Sequence, residues 1–176
     1  MQFSIIMPYL SSSKTINKCK YYLEKNTTNP YELVEIVDSF DVYEAFNLGV
    51  ERAQHDLVIL LNDDMYVSEG WDELFCKYHQ PNLILTCILV EPGIVAVSNR
   101  NICMDFGLDP DSFDEGGFES FAQTITRTRE PIEYDEKGWY MPIAFNKNTF
   151  IPYPNEVKYP HPNDVTLIDQ ILPQLG

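Results

Sequence analysis

The stretch Asp56 to Met65, DLVILLNDDM, decides how this chain is read. Leu57 to Leu61 form an unbroken apolar run, the length of a strand buried on both faces. It runs directly into Asn62, Asp63 and Asp64. Two adjacent carboxylates at a strand exit repel each other, and a bound cation relieves that repulsion better than a turn does.

Upstream, DVYEAFNLGVERAQ carries apolar residues at helical spacing: Val42, Ala45, Phe46, Gly49, Val50 and Ala53. Asp41 with Glu44 has the form of a capping box. Further back, Leu33 to Val37 reads as a strand ending at Asp38, and Phe3 to Tyr9 as a strand closed by Pro8. Between them Ile16, Cys19, Tyr22 and Leu23 have helical spacing, with Ser11, Ser12 and Ser13 as cap candidates. Downstream, Trp71, Leu74, Phe75 and Tyr78 repeat the pattern, with Ser68 as cap. Strand and helix thus alternate through the first half, which predicts a mostly parallel central sheet flanked by helices. Leu83 to Val97 is strand-like, Asn99 to Gly117 reads as a long acidic loop, Gly117 to Glu130 as a helix, Gly138 to Phe145 as a strand, and Asn163 to Leu172 as a last helix.

With 176 residues and no linker, repeat or low-complexity tract, one domain spanning 1–176 is expected. Two halves are expected within it, 1–98 and 99–176. The net charge of −15 argues against nucleic acid as a partner. A phosphate-bearing ligand therefore requires local positive charge, which a divalent metal supplies. No apolar run is long enough to cross a bilayer, and the start lacks the features of a signal peptide. A cytoplasmic location is expected. Cys19, Cys76, Cys87 and Cys103 include no C-x-x-C pair and read as reduced thiols. The sequon at Asn26 carries little weight without an export signal.

In open parallel sheets, ligands bind beyond the carboxyl ends of the strands. Pro8-Tyr9, Asp38-Ser39 and Asn62-Asp63-Asp64 should share that edge. The two carboxylates can take a hard cation and leave its other positions to phosphate oxygens and water. Glycine-rich phosphate cradles are missing from the chain.

FSIIMPY, VEIVDS, NLGVERAQHDLVILLNDDM and GWDELF, in that order over roughly residues 3–76, resemble the GT-A glycosyltransferases, especially the family-2-like group. The resemblance implies a single-domain GT-A fold, with 1–98 as its nucleotide-binding half and 99–176 as its acceptor-side half, and transfer of a sugar from a nucleotide diphosphate to a hydroxyl acceptor, with Mn²⁺ or Mg²⁺. It puts Pro8, Tyr9 and Asp38 on the donor's base or ribose. Asp64 falls on the last carboxylate of the D-x-D metal motif, and Asp63 on its middle position, touching ribose or supporting the metal. Asn62 stands where an aspartate is frequent. Donors would be UDP-, GDP- or dTDP-sugars, and the acceptor a glycan or another hydroxyl compound.

In the same family a later acidic pair opens a helix and supplies the general base. Asn163-Asp164 is the match, making Asp164 the base of an inverting reaction, although an aspartate there equally serves as an N-cap. His161 answers to an additional metal ligand or to a surface loop residue. Trp139, in GWYMPIAF, answers to a sugar-stacking face or to a core aromatic. Asp38 alone is as good a turn former, and Tyr9 alone a packing residue. Asn47, Gly49 and Trp71 read as packing residues, and His55 and His79 as exposed helix-end residues.

Two other readings stay open. A non-catalytic carbohydrate- or calcium-binding module would hold its ion in the acidic loop of Asp105, Asp109, Asp111, Asp114 and Glu115. A sugar nucleotidyltransferase would share sheet and metal, but its glycine-rich basic loop is represented here only by Lys14.

Overall fold

A computed structural model of the chain describes residues 1–39, 41–92, 101–128 and 142–153. The elements run β1 (Phe3–Tyr9), α1 (Ile16–Asn26), β2 (Tyr31–Val37), α2 (Val42–Arg52), β3 (Leu57–Leu60), α3 (Trp71–Tyr78), β4 (Leu85–Thr86), β5 (Leu89–Glu91), β6 (Asn101–Cys103), α4 (Glu115–Thr128) and β7 (Ile143–Asn146). A 3₁₀ turn, Lys147–Thr149, follows β7.

Five strands form one sheet in the order β2-β1-β3-β7-β4. β1 pairs parallel with β2, Phe3 opposite Tyr31 through Tyr9 opposite Val37. It also pairs parallel with β3, Phe3 opposite Leu57 through Ile6 opposite Leu60. β7 is antiparallel to both of its neighbours, β3 and β4. Four strands therefore share one direction and the fifth is inserted against them. β5 and β6 form a separate parallel pair.

Alternation along the strands assigns each residue to one of two cores. Phe3, Ile5, Met7, Leu57 and Ile59 pack with Ile16, Cys19, Tyr22 and Leu23 of α1 and Phe75 of α3. Ile6, Val58 and Leu60 pack on the opposite face with Tyr43, Phe46 and Val50 of α2. Gly49 lets α2 lie directly on β1, because a β-carbon there would stand 2.1 Å from Ile6 Cγ2. Asn47 donates through Nδ2 to the Tyr153 carbonyl (2.9 Å) and accepts from the Tyr153 N–H (2.8 Å), fastening the segment after β7 to the same helix.

Several expectations are corrected. β6 and the start of α4 lie within the span expected to be loop, and Phe113 at its end stacks edge-on to Tyr22 and Tyr66. α3 is capped by Gly70 in the left-handed conformation (φ 69°) and not by Ser68. His79 and His55 are half-buried. The expected helix from Asn163 lies outside the described residues.

Candidate functional site

Because β1, β2 and β3 are parallel, their carboxyl ends open on one edge of the sheet. Asp38, the residue after β2, has φ 57°, a left-handed conformation that aspartate tolerates better than most residues. Its N–H donates to the Tyr9 carbonyl (2.9 Å) and its Oδ1 accepts from the Ser11 N–H (2.7 Å). The exits of β1 and β2 are thereby tied together, and the Asp38 side chain remains exposed.

β3 is followed by buried Leu61, whose N–H continues the ladder to the Ile6 carbonyl (3.0 Å). The chain then turns over Asn62 to Met65, with the Met65 N–H on the Asn62 carbonyl at 3.4 Å. Oδ2 of Asp63 accepts from Ser13 Oγ and from Thr15 Oγ1 (3.3 Å). Cys19 Sγ, one turn into α1, donates to the Met65 carbonyl at 3.1 Å. Burial pushes that thiol up to about 12, with the charges of Asp63 and Asp64 adding to the shift. The repulsion between the two carboxylates thus has a partial outlet that the sequence reading missed, in hydroxyl donors at the start of a helix.

Asp64 differs from its neighbour. Its side chain is exposed, and no other side chain among the described residues bonds to it. Surrounding protein, and then the Asp63 charge, raise its carboxyl above the usual range. Glu91, the last residue of β5, is raised by burial and by the charge of Asp64. Nothing in the sequence LVE foretells what faces Glu91. Burial pushes the Tyr66 hydroxyl up to about 12, with Asp64, Asp109 and Asp111 among the charges that add to it. The edge is strongly electronegative, a setting that favours a cation.

Tyr9 lies on the α1 face, packed against that core. Its hydroxyl donates to Glu35 Oε1 (2.6 Å), which also pairs with Lys20, and the Lys20 ammonium stands 5.2 Å from the ring centroid. Lys20 first, and then Tyr9, hold the Glu35 carboxyl below its usual range. Pro8 sits in the β1–β2 ladder opposite Ile36. Asp164, Trp139 and His161 lie outside the described residues. The structure thus brings Asp38, Asp63 and Asp64 to the edge, and turns Tyr9 toward α1.

The acidic loop spends the aspartates Asp105, Asp109 and Asp114 locally. Asp105 accepts from the Gly107 N–H (2.8 Å), Asp109 from those of Asp111 (3.0 Å) and Ser112 (3.2 Å), and Asp114 from that of Gly117 (3.0 Å). Glu115 pairs with Lys25 and accepts from the Tyr22 hydroxyl. The aspartate bonds are turn and cap bonds, and those of Glu115 reach across to α1. Among the described residues no group of three or more His, Cys, Asp or Glu is disposed to hold a metal. Asp64 and Asp63 nevertheless fit a hard divalent ion, since magnesium sites commonly use one or two carboxylates and take the remaining oxygens from substrate phosphates and water.

No helix among the described residues is long and apolar enough to cross a membrane. No family model and no curated protein matches the chain. Among solved structures, residues 1–349 of TarS from S. aureus are similar in part, at 19% identity and a TM-score of 0.45. That likeness covers 56% of this chain and 39% of the other, so the chain spans well under half of that structure's length. It is a partial likeness of fold and has no bearing on the site.

Proposed function

We propose that the protein is a metal-dependent glycosyltransferase that moves a sugar from a nucleotide diphosphate to a hydroxyl acceptor. The observation that carries this reading is the common edge formed by β1, β2 and β3, which presents Asp38 together with the Asp63-Asp64 pair. The ordered resemblance over residues 3–76 supports it. Asp38 would bind the nucleoside through the carboxylate oxygen that Ser11 leaves unused. Asp64, with Asp63, would hold Mn²⁺ or Mg²⁺ against the donor diphosphate. Such an ion neutralises charge on the departing diphosphate, which a chain of net charge −15 otherwise repels.

In the reaction the anomeric carbon loses its bond to the diphosphate oxygen and gains one to the acceptor oxygen. The acceptor's proton goes to a base, for which Asp164 is the candidate, giving inversion. UDP-, GDP- and dTDP-sugars are the candidate donors, with a glycan or other hydroxyl compound as acceptor.

Thermal stability measured with UDP, GDP, dTDP and CDP, with and without Mn²⁺, tests the reading. A ligand at about 100 times its Kd adds roughly 2.7 kcal/mol to stability. The expected result is a rise for one nucleotide that requires Mn²⁺ and is lost in Asp64→Ala. Folded protein that responds to no nucleotide would sink the proposal.

A further inference from the structure

The start of α1 grips the carboxylate turn at two points. Ser13 Oγ and Thr15 Oγ1, 3.0 Å apart, both reach Oδ2 of Asp63. Ser13 Oγ is itself fixed, accepting from the N–H groups of Thr15 and Ile16 at 3.3 Å each. Cys19 holds the far end of the turn through the Met65 carbonyl. Asp64 lies between these two attachments and is bonded by neither. One carboxylate is therefore tethered to the helix start, while the adjacent one is left open on a turn attached at both ends.

We propose that Ser13 and Thr15 are positioning residues. They commit Oδ2 of Asp63 to the β1–α1 loop and leave Asp64 as the carboxylate that receives the divalent ion. The inference rests on the metal-dependent transferase reading and adds a division of labour within the pair. A hydroxyl offers one proton to a carboxylate and has lone pairs left for backbone N–H groups, which is the role Ser13 fills. A carboxylate tethered through one oxygen retains the other, so Asp63 still has Oδ1 for ribose or for the ion. Without the tether, Asp63 would be as free to rotate as Asp64, and their mutual repulsion would favour splayed rotamers with no shared focus.

The test measures Mn²⁺ affinity by the electron paramagnetic resonance signal of the free ion, with UDP, GDP or dTDP present. Thermal midpoints without ligand are recorded in parallel. Hydrogen-bond partners that orient a metal ligand typically contribute about 10–100-fold in metal affinity. The Ser13→Ala/Thr15→Val double variant is expected to lose affinity in that range. The exchange Ser13→Thr/Thr15→Ser keeps both hydroxyls and should recover most of it. Asp64→Asn should bind far more weakly than Asp63→Asn, whose amide oxygen still accepts from the hydroxyls. If the double variant proves unstable, Thr15→Val alone should show a smaller loss in the same direction. Wild-type affinity in a folded hydroxyl-free variant overturns the positioning role, whatever its midpoint. So does an Asp63→Asn loss equal to that of Asp64→Asn. Wild-type protein that binds no Mn²⁺ with any nucleotide overturns the transferase reading and this inference together. Binding that survives loss of the hydroxyls overturns this inference alone.

Discussion

Asp72 is a carboxylate almost wholly removed from solvent, and its oxygens are taken by the N–H groups of Thr28 (3.0 Å) and Asn29 (2.8 Å) and by Asn29 Nδ2 (2.8 Å). It closes the connection between α1 and β2. Removing the acceptor leaves part-buried donors unpaired, at about 1–3 kcal/mol for each group that finds no water. Asp72→Ala should therefore lower the urea midpoint by the equivalent of roughly 3 kcal/mol with an unchanged slope. Asp72→Asn, which keeps one oxygen, should lose less. Equal midpoints for wild type and Asp72→Ala would show that the loop repacks around water. Asn26 shows the same dependence on surroundings. Its side chain is buried and donates to the Val67 carbonyl (2.7 Å) and to Glu119 (2.9 Å), so the sequon it heads is closed to a glycan. Residue type was legible at both positions, but the partner, some 40 or more residues distant, was not.

At the scale of elements, α2 is the clearest case of a pattern that carries its own packing. The spacing of Val42 to Ala53 named the helix, and Asp41 caps it as read, accepting from the N–H groups of Tyr43 (2.8 Å) and Glu44 (3.2 Å). Alanine is about 1 kcal/mol better than glycine inside a helix. At position 49 that gain is opposed by the contact with Ile6, and overpacking costs about 1–3 kcal/mol. Gly49→Ala should therefore destabilise the fold. Ile6→Ala makes room for the methyl group, so the pair should be less destabilising than the sum of the single changes. Additive losses would show that α2 and β1 do not meet there. The strand–helix alternation through Tyr78 was legible because each element carries its own period. β7 was visible as a strand, but not its antiparallel place between β3 and β4, which depends on partners far along the chain. His79 was misread for the same reason. It caps the carboxyl end of α3, where the helix dipole favours a cation. Burial overrides the dipole and lowers the ring's pKa, only partly offset by Asp56. Nδ1 is shut off from water with no partner among the described residues. Unfolded histidine titrates near 6.5, so below that pH the unfolded chain takes the proton first and stability is lost as pH falls. Wild type should lose more stability than His79→Gln between about pH 7.5 and 5.5, a range spanning the unfolded pKa. Parallel losses would show that the folded ring protonates freely.

Across the whole molecule, charge sets the balance. Twenty-seven acidic residues face twelve basic ones, and self-repulsion of that size works against the compact state. Burial raises both Asp64 and Glu91, the charge of Asp63 adding to the first shift and that of Asp64 to the second, and a cation is the natural counterweight there. Two opposing effects answer to salt. Screening relieves the repulsion, since the Debye length falls from about 30 Å at 0.01 M to about 3 Å at 1 M. It also weakens ion pairs, but those of Lys20 with Glu35 and Lys25 with Glu115 have side chains about a third or more exposed. Exposed pairs of that kind contribute little to stability. Repulsion among many charges outweighs them, so the thermal midpoint should rise as KCl goes from about 0.01 M to about 1 M. Lys25→Met and Lys20→Met, which remove a positive charge each, should steepen that rise, because the bare chain becomes more negative. A midpoint that falls with KCl would mean that the lysine pairs docking Glu115 and Glu35 against α1 dominate the energetics. Measured without divalent ions, the KCl series also supplies the baseline for Mn²⁺. Any further rise at millimolar Mn²⁺ that Asp64→Ala abolishes belongs to the site, because a general screening effect would survive that substitution.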